Sequence, residues 1–134
     1  MRKLIAAAGG VAAVLALTIA PSSAMATQQD QVVKISVAGE TYQVRLTNQK
    51  NIDDALRNLN GDPTAPRIPN GRIVRGSTDI NTGWSWHIDP EDFSFADVTM
   101  ELCDGHPSYV EDGSLTGDRY CPWHATVVSV TPAP

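Results

Sequence analysis

The sequence predicts an α+β domain: a small, mostly antiparallel sheet, one helix and one disulfide. Three observations predict it. Short runs of alternating apolar and polar residues recur along the chain with turn residues between them, which is the pattern of half-buried strands. One stretch, Ile52 to Leu59, switches to helical spacing. The only two cysteines, Cys103 and Cys121, lie in the part of the chain destined for export, where an even count means a disulfide. Five or six short strands with a single helix do not form the βαβ alternation of a parallel sheet.

The first segment reads as an address. Arg2 and Lys3 make a positive start, an apolar run follows from Leu4 to Ala20, and Ala24-Met25-Ala26 supplies a small-x-small cleavage site. The expected cut falls after Ala26, with Ala24 as the neighbouring alternative. Gly9 and Gly10 interrupt the apolar run, which is shorter than the roughly 20 residues of a bilayer span. The expectation is general secretion, with no stable membrane anchoring after cleavage. Arg2-Lys3 lacks the twin arginine, and no cysteine follows the run to accept a lipid.

Of the 134 residues, 27–134 are left as one secreted domain, with its core over about residues 31–130. Ten Lys and Arg become eight against fifteen Asp and Glu, so the exported charge is −7. That charge excludes nucleic acid as a generic partner and favours cationic ones. A monomer is expected, with no cofactor. Closing the 18-residue separation of Cys103 and Cys121 would stabilise so small a fold by about 3 kcal/mol. The pair lacks C-x-x-C spacing, which argues for a structural bond over a redox or metal role.

Each element has its reason. Val33, Ile35 and Val37 alternate with Lys34 and Ser36, Gly39 turns the chain, and Tyr42, Val44 and Leu46 alternate in return, so Val33–Leu46 is a hairpin. Thr47 or Asn48 caps a helix that Gly61 stops. Its stripe of Ile52, Ala55, Leu56 and Leu59 faces the core, with Asp53, Asp54 and Arg57 turned elsewhere. Residues 62–70 hold Pro63, Pro66 and Pro69 and predict an exposed loop. Arg72–Arg75 is a short strand, and Trp84, Trp86 and Ile88 share the face of another that ends at Asp89-Pro90. His87 points to the wetter side. Phe93 and Phe95 anchor a loop, Met100 and Leu102 share a face of Val98–Cys103, and residues 104–119 form a Gly- and Asp-rich connection. Tyr120–Val130 is the last strand, with Val127, Val128 and Val130 buried.

The runs Trp84-Ser85-Trp86-His87-Ile88-Asp89-Pro90, Glu101-Leu102-Cys103-Asp104, Tyr109-Val110-Glu111-Asp112 and Cys121-Pro122-Trp123 stand in that order. With the upstream helix and Gly71-Arg72-Ile73-Val74, this chain resembles a family of small domains similar to the N-terminal domain of a calmodulin-binding protein. The match covers nearly all of residues 42–128, with a short segment over 113–119. The resemblance implies a domain type and no enzymatic activity. Calmodulin binding does not carry over, because such targets present a basic amphipathic helix and this helix bears Asp53 and Asp54 beside Arg57.

Several constellations carry candidate chemistry. Asp104, Glu111, Asp112 and Asp118 supply oxygens that would suit calcium, though without the D-x-[DN]-x-[DN]-G register; alternatively Asp104 accepts backbone N–H groups within its own turn. A Cys103–Cys121 bond draws Asp104, His106 and His124 together, and with His87 these would suit zinc, but no histidine pair has i, i+4 or H-x-H spacing. There is no G-x-S-x-G, H-E-x-x-H or phosphate loop. The expectation is therefore no enzyme. Trp84, Trp86 and Trp123 are either core or an aromatic patch for a protein or small ligand. The leading expectation is a secreted, non-catalytic binding or interaction domain. The alternatives are an exported protease inhibitor presenting the loop 62–70 with Arg67, and a calcium- or zinc-dependent domain or enzyme.

Overall fold

The computed structural model describes residues 9–16 and 28–134. The expected positive start at Arg2-Lys3 and the cleavage site at Ala24–Ala26 lie outside the described residues. Among the described residues no helix is long and apolar enough to cross a membrane.

The chain forms an α+β fold with two three-stranded antiparallel sheets in place of one. The elements run β1 (Gln31–Val37), β2 (Glu40–Leu46), α1 (Gln49–Leu59), β3 (Ile68–Arg75), β4 (Trp86–Ala96), a 3₁₀ turn (Glu101–Cys103), α2 (Pro107–Glu111), β5 (Arg119–Tyr120) and β6 (Ala125–Pro132). The first sheet has the order β2-β1-β6 and the second β4-β3-β5. One apolar core serves both: Val33, Ile35 and Val44 pack with Ile73, Trp86, Ile88 and Phe95, and α1 adds Ile52 and Ala55.

The hairpin stands as expected, with Val33 opposite Val44 and Ile35 opposite Tyr42. Ala38 and Gly39 both take positive φ, which matches a two-residue turn to the twist of its strands. Asn48 caps α1 by accepting the Asn51 amide at 2.9 Å. The buried face of that helix is rotated from the expected stripe. Leu56 and Leu59 are exposed, whereas Asn51 and Asp54 are buried beside Ile52 and Ala55. Polar partners permit this: Asn51 donates to the Phe93 carbonyl at 2.7 Å, and Asp54 pairs with Lys50 at 2.6 Å and Arg57 at 3.4 Å.

The expected loop over 62–70 is shorter than predicted, because Ile68–Asn70 already belong to β3 and Pro69 is fully buried. β5 reaches only Gly71 and Arg72, so a proline at 69 removes no ladder bond on that side. At Gly71 a side chain has no room, since a β-carbon would lie 2.4 Å from Ile88 Cγ2. β4 does not end at Asp89-Pro90. Its pairing with β3 steps from Gly71–Phe93 to Ile73–Ile88, so residues 89–92 bulge outward and carry Pro90 out of the ladder. Phe93 and Phe95 are therefore strand residues, while Trp84 precedes the strand in a bend.

The last strand is also two elements. Tyr120 pairs in the second sheet, and residues 121–124 then turn the chain so that β6 joins the first. β6 pairs Lys34 with Ser129 but Ile35 with Val127, which leaves Val128 as an extra residue. The bulge resets the alternation: Val127 and Val130 both face the core and Val128 is exposed. Val98–Cys103 forms no strand, and α2, with Pro107 in its first turn, is too short to have shown a helical period.

Candidate functional site

Cys103 and Cys121 form the disulfide, with Cα atoms 5.0 Å apart, and join the 3₁₀ turn to the end of β5. The Cys121 amide donates to the Cys103 carbonyl at 2.7 Å, which ties the two segments as a short ladder would. Asp104 accepts the Trp123 amide at 2.9 Å across this junction, so its carboxylate serves a segment 19 residues away and not its own turn. Asp104, His106 and His124 do share a neighbourhood, lining a cavity of about 200 Å³ with Val37, Ala38 and Gly105.

At that cavity stands a group that sequence reasoning missed. Glu40 accepts the Ser108 amide at 2.9 Å and hydroxyl at 3.1 Å, and its other contact is His106 Nδ1 at 3.1 Å. Burial alone would raise the Glu40 carboxyl, but the bonds from Ser108 and His106 outweigh it and hold the group below the usual glutamate range. Serine, histidine and glutamate thus meet with the carboxylate as the hub. The Ser108 hydroxyl donates to Glu40, which His106 contacts as well. Glu40 sits 66 residues from His106, at the start of β2, and no local pattern could have linked them.

The four acidic candidates are dispersed. Glu111 accepts the Ser85 amide at 3.0 Å and hydroxyl at 2.7 Å, and those bonds hold it below the usual glutamate range. Asp112 accepts the Ser114 hydroxyl and its amide at 2.8 Å, which lowers it likewise. Asp118 contributes its carbonyl to the Ile73 amide at 2.6 Å. Among the described residues, no three His, Cys, Asp or Glu side chains gather as a metal-holding group.

The tryptophans divide. Trp86 is fully buried and centres an aromatic cluster with Tyr42 at 5.7 Å, Tyr120 at 5.8 Å and Trp84 at 5.9 Å. Trp84 is half-buried and its indole donates to the Thr41 carbonyl at 2.8 Å, covering the edge of β2. Trp123 is the exposed one. Arg67 is exposed and lines a cavity of about 160 Å³ between α1 and β6. A second cavity, of about 230 Å³, lies beside His87, whose Nδ1 is 2.8 Å from the Gly76 carbonyl, and Arg45, which pairs with Asp30 at 3.0 Å.

The most exposed apolar side chains of the folded body lie on Val98–Cys103, where alternation predicts a shared face of a strand. Val98, Met100 and Leu102 are 83%, 64% and 87% accessible and stand beside the disulfide on one five-residue segment. Asp97 and Glu101, also exposed, lie between and beside them.

No curated protein and no solved structure matches the chain. One family model does, over residues 27–134, a span that takes in both sheets, both helices and the disulfide. The chain belongs to the family described as the BP-74 N-terminal domain.

Proposed function

We propose that this protein is exported, cleaved after Ala26, and acts as a disulfide-stabilised, non-catalytic interaction domain for a protein partner. The observation that carries the reading is the ridge of Val98, Met100 and Leu102. Single exposed aliphatics are ordinary, but three within five residues are a concentration of exposed apolar side chains of the kind that partners cover. Burying a side chain of that size returns roughly 1.5–3 kcal/mol, and the disulfide at Cys103 holds the ridge in place so that little ordering is needed on binding. The bonding around Glu40 supports a structural use for the polar groups there. Export is supported by the positive start, apolar run and small-x-small site, and by a family match that begins at Thr27.

A photo-cross-linking residue at position 102, expressed in the source cells, is expected to give a discrete adduct with one partner, while the same residue at exposed Thr82 gives none. The triple variant V98S/M100S/L102S should lose that adduct with its melting curve unchanged. A marked fall in its melting temperature would show that the ridge serves the chain's own fold, and identical adducts from both positions would refute a specific surface. Mass spectrometry of the exported species should read residues 27–134.

A further inference from the structure

We propose that the partner of the ridge at 98–102 presents a basic segment: one apolar side chain seats in a groove beside the disulfide, and flanking lysines or arginines meet the carboxylates around it. This rests on the reading of the ridge as an interaction surface and names the chemistry of what covers it. The groove has about 210 Å³ and is lined by Met100, Leu102 and Cys103 and by residues 116–119. Its apolar wall is open to solvent, since Met100 and Leu102 are both largely accessible.

Both linings are fastened to the fold. Cys103 is buried and tied to Cys121 by the disulfide and by the 2.7 Å bond from the Cys121 amide to the Cys103 carbonyl. Asp118 is anchored through its main chain, whose carbonyl accepts the Ile73 amide at 2.6 Å, and Arg119 belongs to β5, paired with Arg72 of β3. An apolar opening whose walls are already in place needs little ordering on binding. A cavity of roughly 150 Å³ takes up a benzene ring, so this groove has room for one aromatic or branched aliphatic side chain.

Charge decides what surrounds that side chain. Arg119 is the one cation of the lining, and its guanidinium is committed to Asp92. Asp118 is exposed at the groove, Glu101 is exposed between Met100 and Leu102, and exposed Asp97 precedes Val98. Among the described residues none of these three carboxylates has an ion-pair partner. Nor does any of them accept a hydrogen bond, whereas Asp92, Asp104, Glu111 and Asp112 each do. Uncompensated negative charge therefore stands beside exposed apolar groups, in an exported domain of charge −7. A cationic segment with an apolar anchor satisfies both. A second copy of this chain brings the same carboxylates, and an anionic bilayer is repelled.

The test is an NMR titration of the oxidised protein with acetyl-Lys-Lys-Phe-Leu-Lys-Lys-amide, with the same peptide carrying Glu for Lys, and with the lysine peptide carrying Ser-Ser for Phe-Leu. Saturable shifts of the Met100 and Leu102 methyls are expected with the first peptide and not with the other two. Raising the salt from about 0.05 to about 0.5 M should weaken that binding about fivefold. The variant E101Q/D118N should weaken it by about the same factor with an unchanged melting curve, because neither carboxylate is bonded within the fold. Leu102→Ser should abolish the shift at Met100. Equal binding of the lysine and glutamate peptides overturns the basic partner, equal binding of the Ser-Ser peptide overturns the apolar anchor, and no saturable shift with any peptide overturns both. A discrete adduct from position 102 in cells beside any of those results would leave the interaction surface standing, so the two readings fail separately.

Discussion

Asp62, just past the end of α1, accepts the Thr64 hydroxyl at 2.7 Å and amide at 2.9 Å, and Arg57 donates to its other oxygen at 2.9 Å. The Thr64 bonds first and Arg57 after them lower its pKa to about 2. An aspartate in an unfolded chain titrates near about 3.9. The folded value is the lower one, so these bonds contribute stability in full above about pH 4, and lose it as pH falls toward about 2. Asp62→Asn is expected to melt below the wild type at pH 5 and to converge with it near pH 2. Melting midpoints across that range check this, and a gap independent of pH would contradict it. At this scale the sequence was partly legible. Loop, cap and stop residues around α1 followed from their types, but the burial of Asp54 did not, because it depends on Lys50 and Arg57 closing over it. Asp104 does accept a backbone N–H, but the donor, Trp123, comes from across the disulfide and not from the local turn.

Elements differ from expectation where a strand breaks its own alternation. The bulge at Val128 and the four-residue bulge at 89–92 each shift which residues face inward, and period-two reading assumes that no residue is extra. The joint between the two sheets lies equally beyond pattern reading. Asn81, fully buried, accepts the Gln43 amide of β2 at 2.9 Å and donates to the Trp86 carbonyl of β4 at 2.9 Å. One side-chain amide thus bridges the edge of one sheet to the edge of the other. Asn81→Ala leaves both main-chain groups without their partner and should cost about 2–4 kcal/mol. Urea unfolding would measure it, and a loss under about 0.5 kcal/mol would show that water replaces the amide.

For the whole molecule the disulfide matters most, since a core this small has little stability to spare. It sits where the chain leaves the second sheet at Tyr120 and crosses to the first at Ala125. The double variant C103S/C121S should therefore lose about 3 kcal/mol, read as a melting temperature lower by on the order of 10 °C. A thermal scan under oxidising conditions decides it, and an unchanged midpoint would mean that the crossing is held by packing alone. The same anchor supports the ridge at 98–102, so the variant should also weaken any adduct formed there.

Local physics was enough for much of this protein. Alternation, helical spacing and turn residues pointed to the α+β class, the hairpin and α1, because each depends on neighbours in sequence, and the presence of only two cysteines pointed to the disulfide. The tertiary structure decided what depends on residues far apart: the split into two sheets, the outward turn of Val98, Met100 and Leu102, the Glu40 hub for His106 and Ser108, and the cavity at Arg67. Those features arise where separate segments meet, and their geometry is set by the packing of both sheets around one core rather than by any residue's neighbours along the chain.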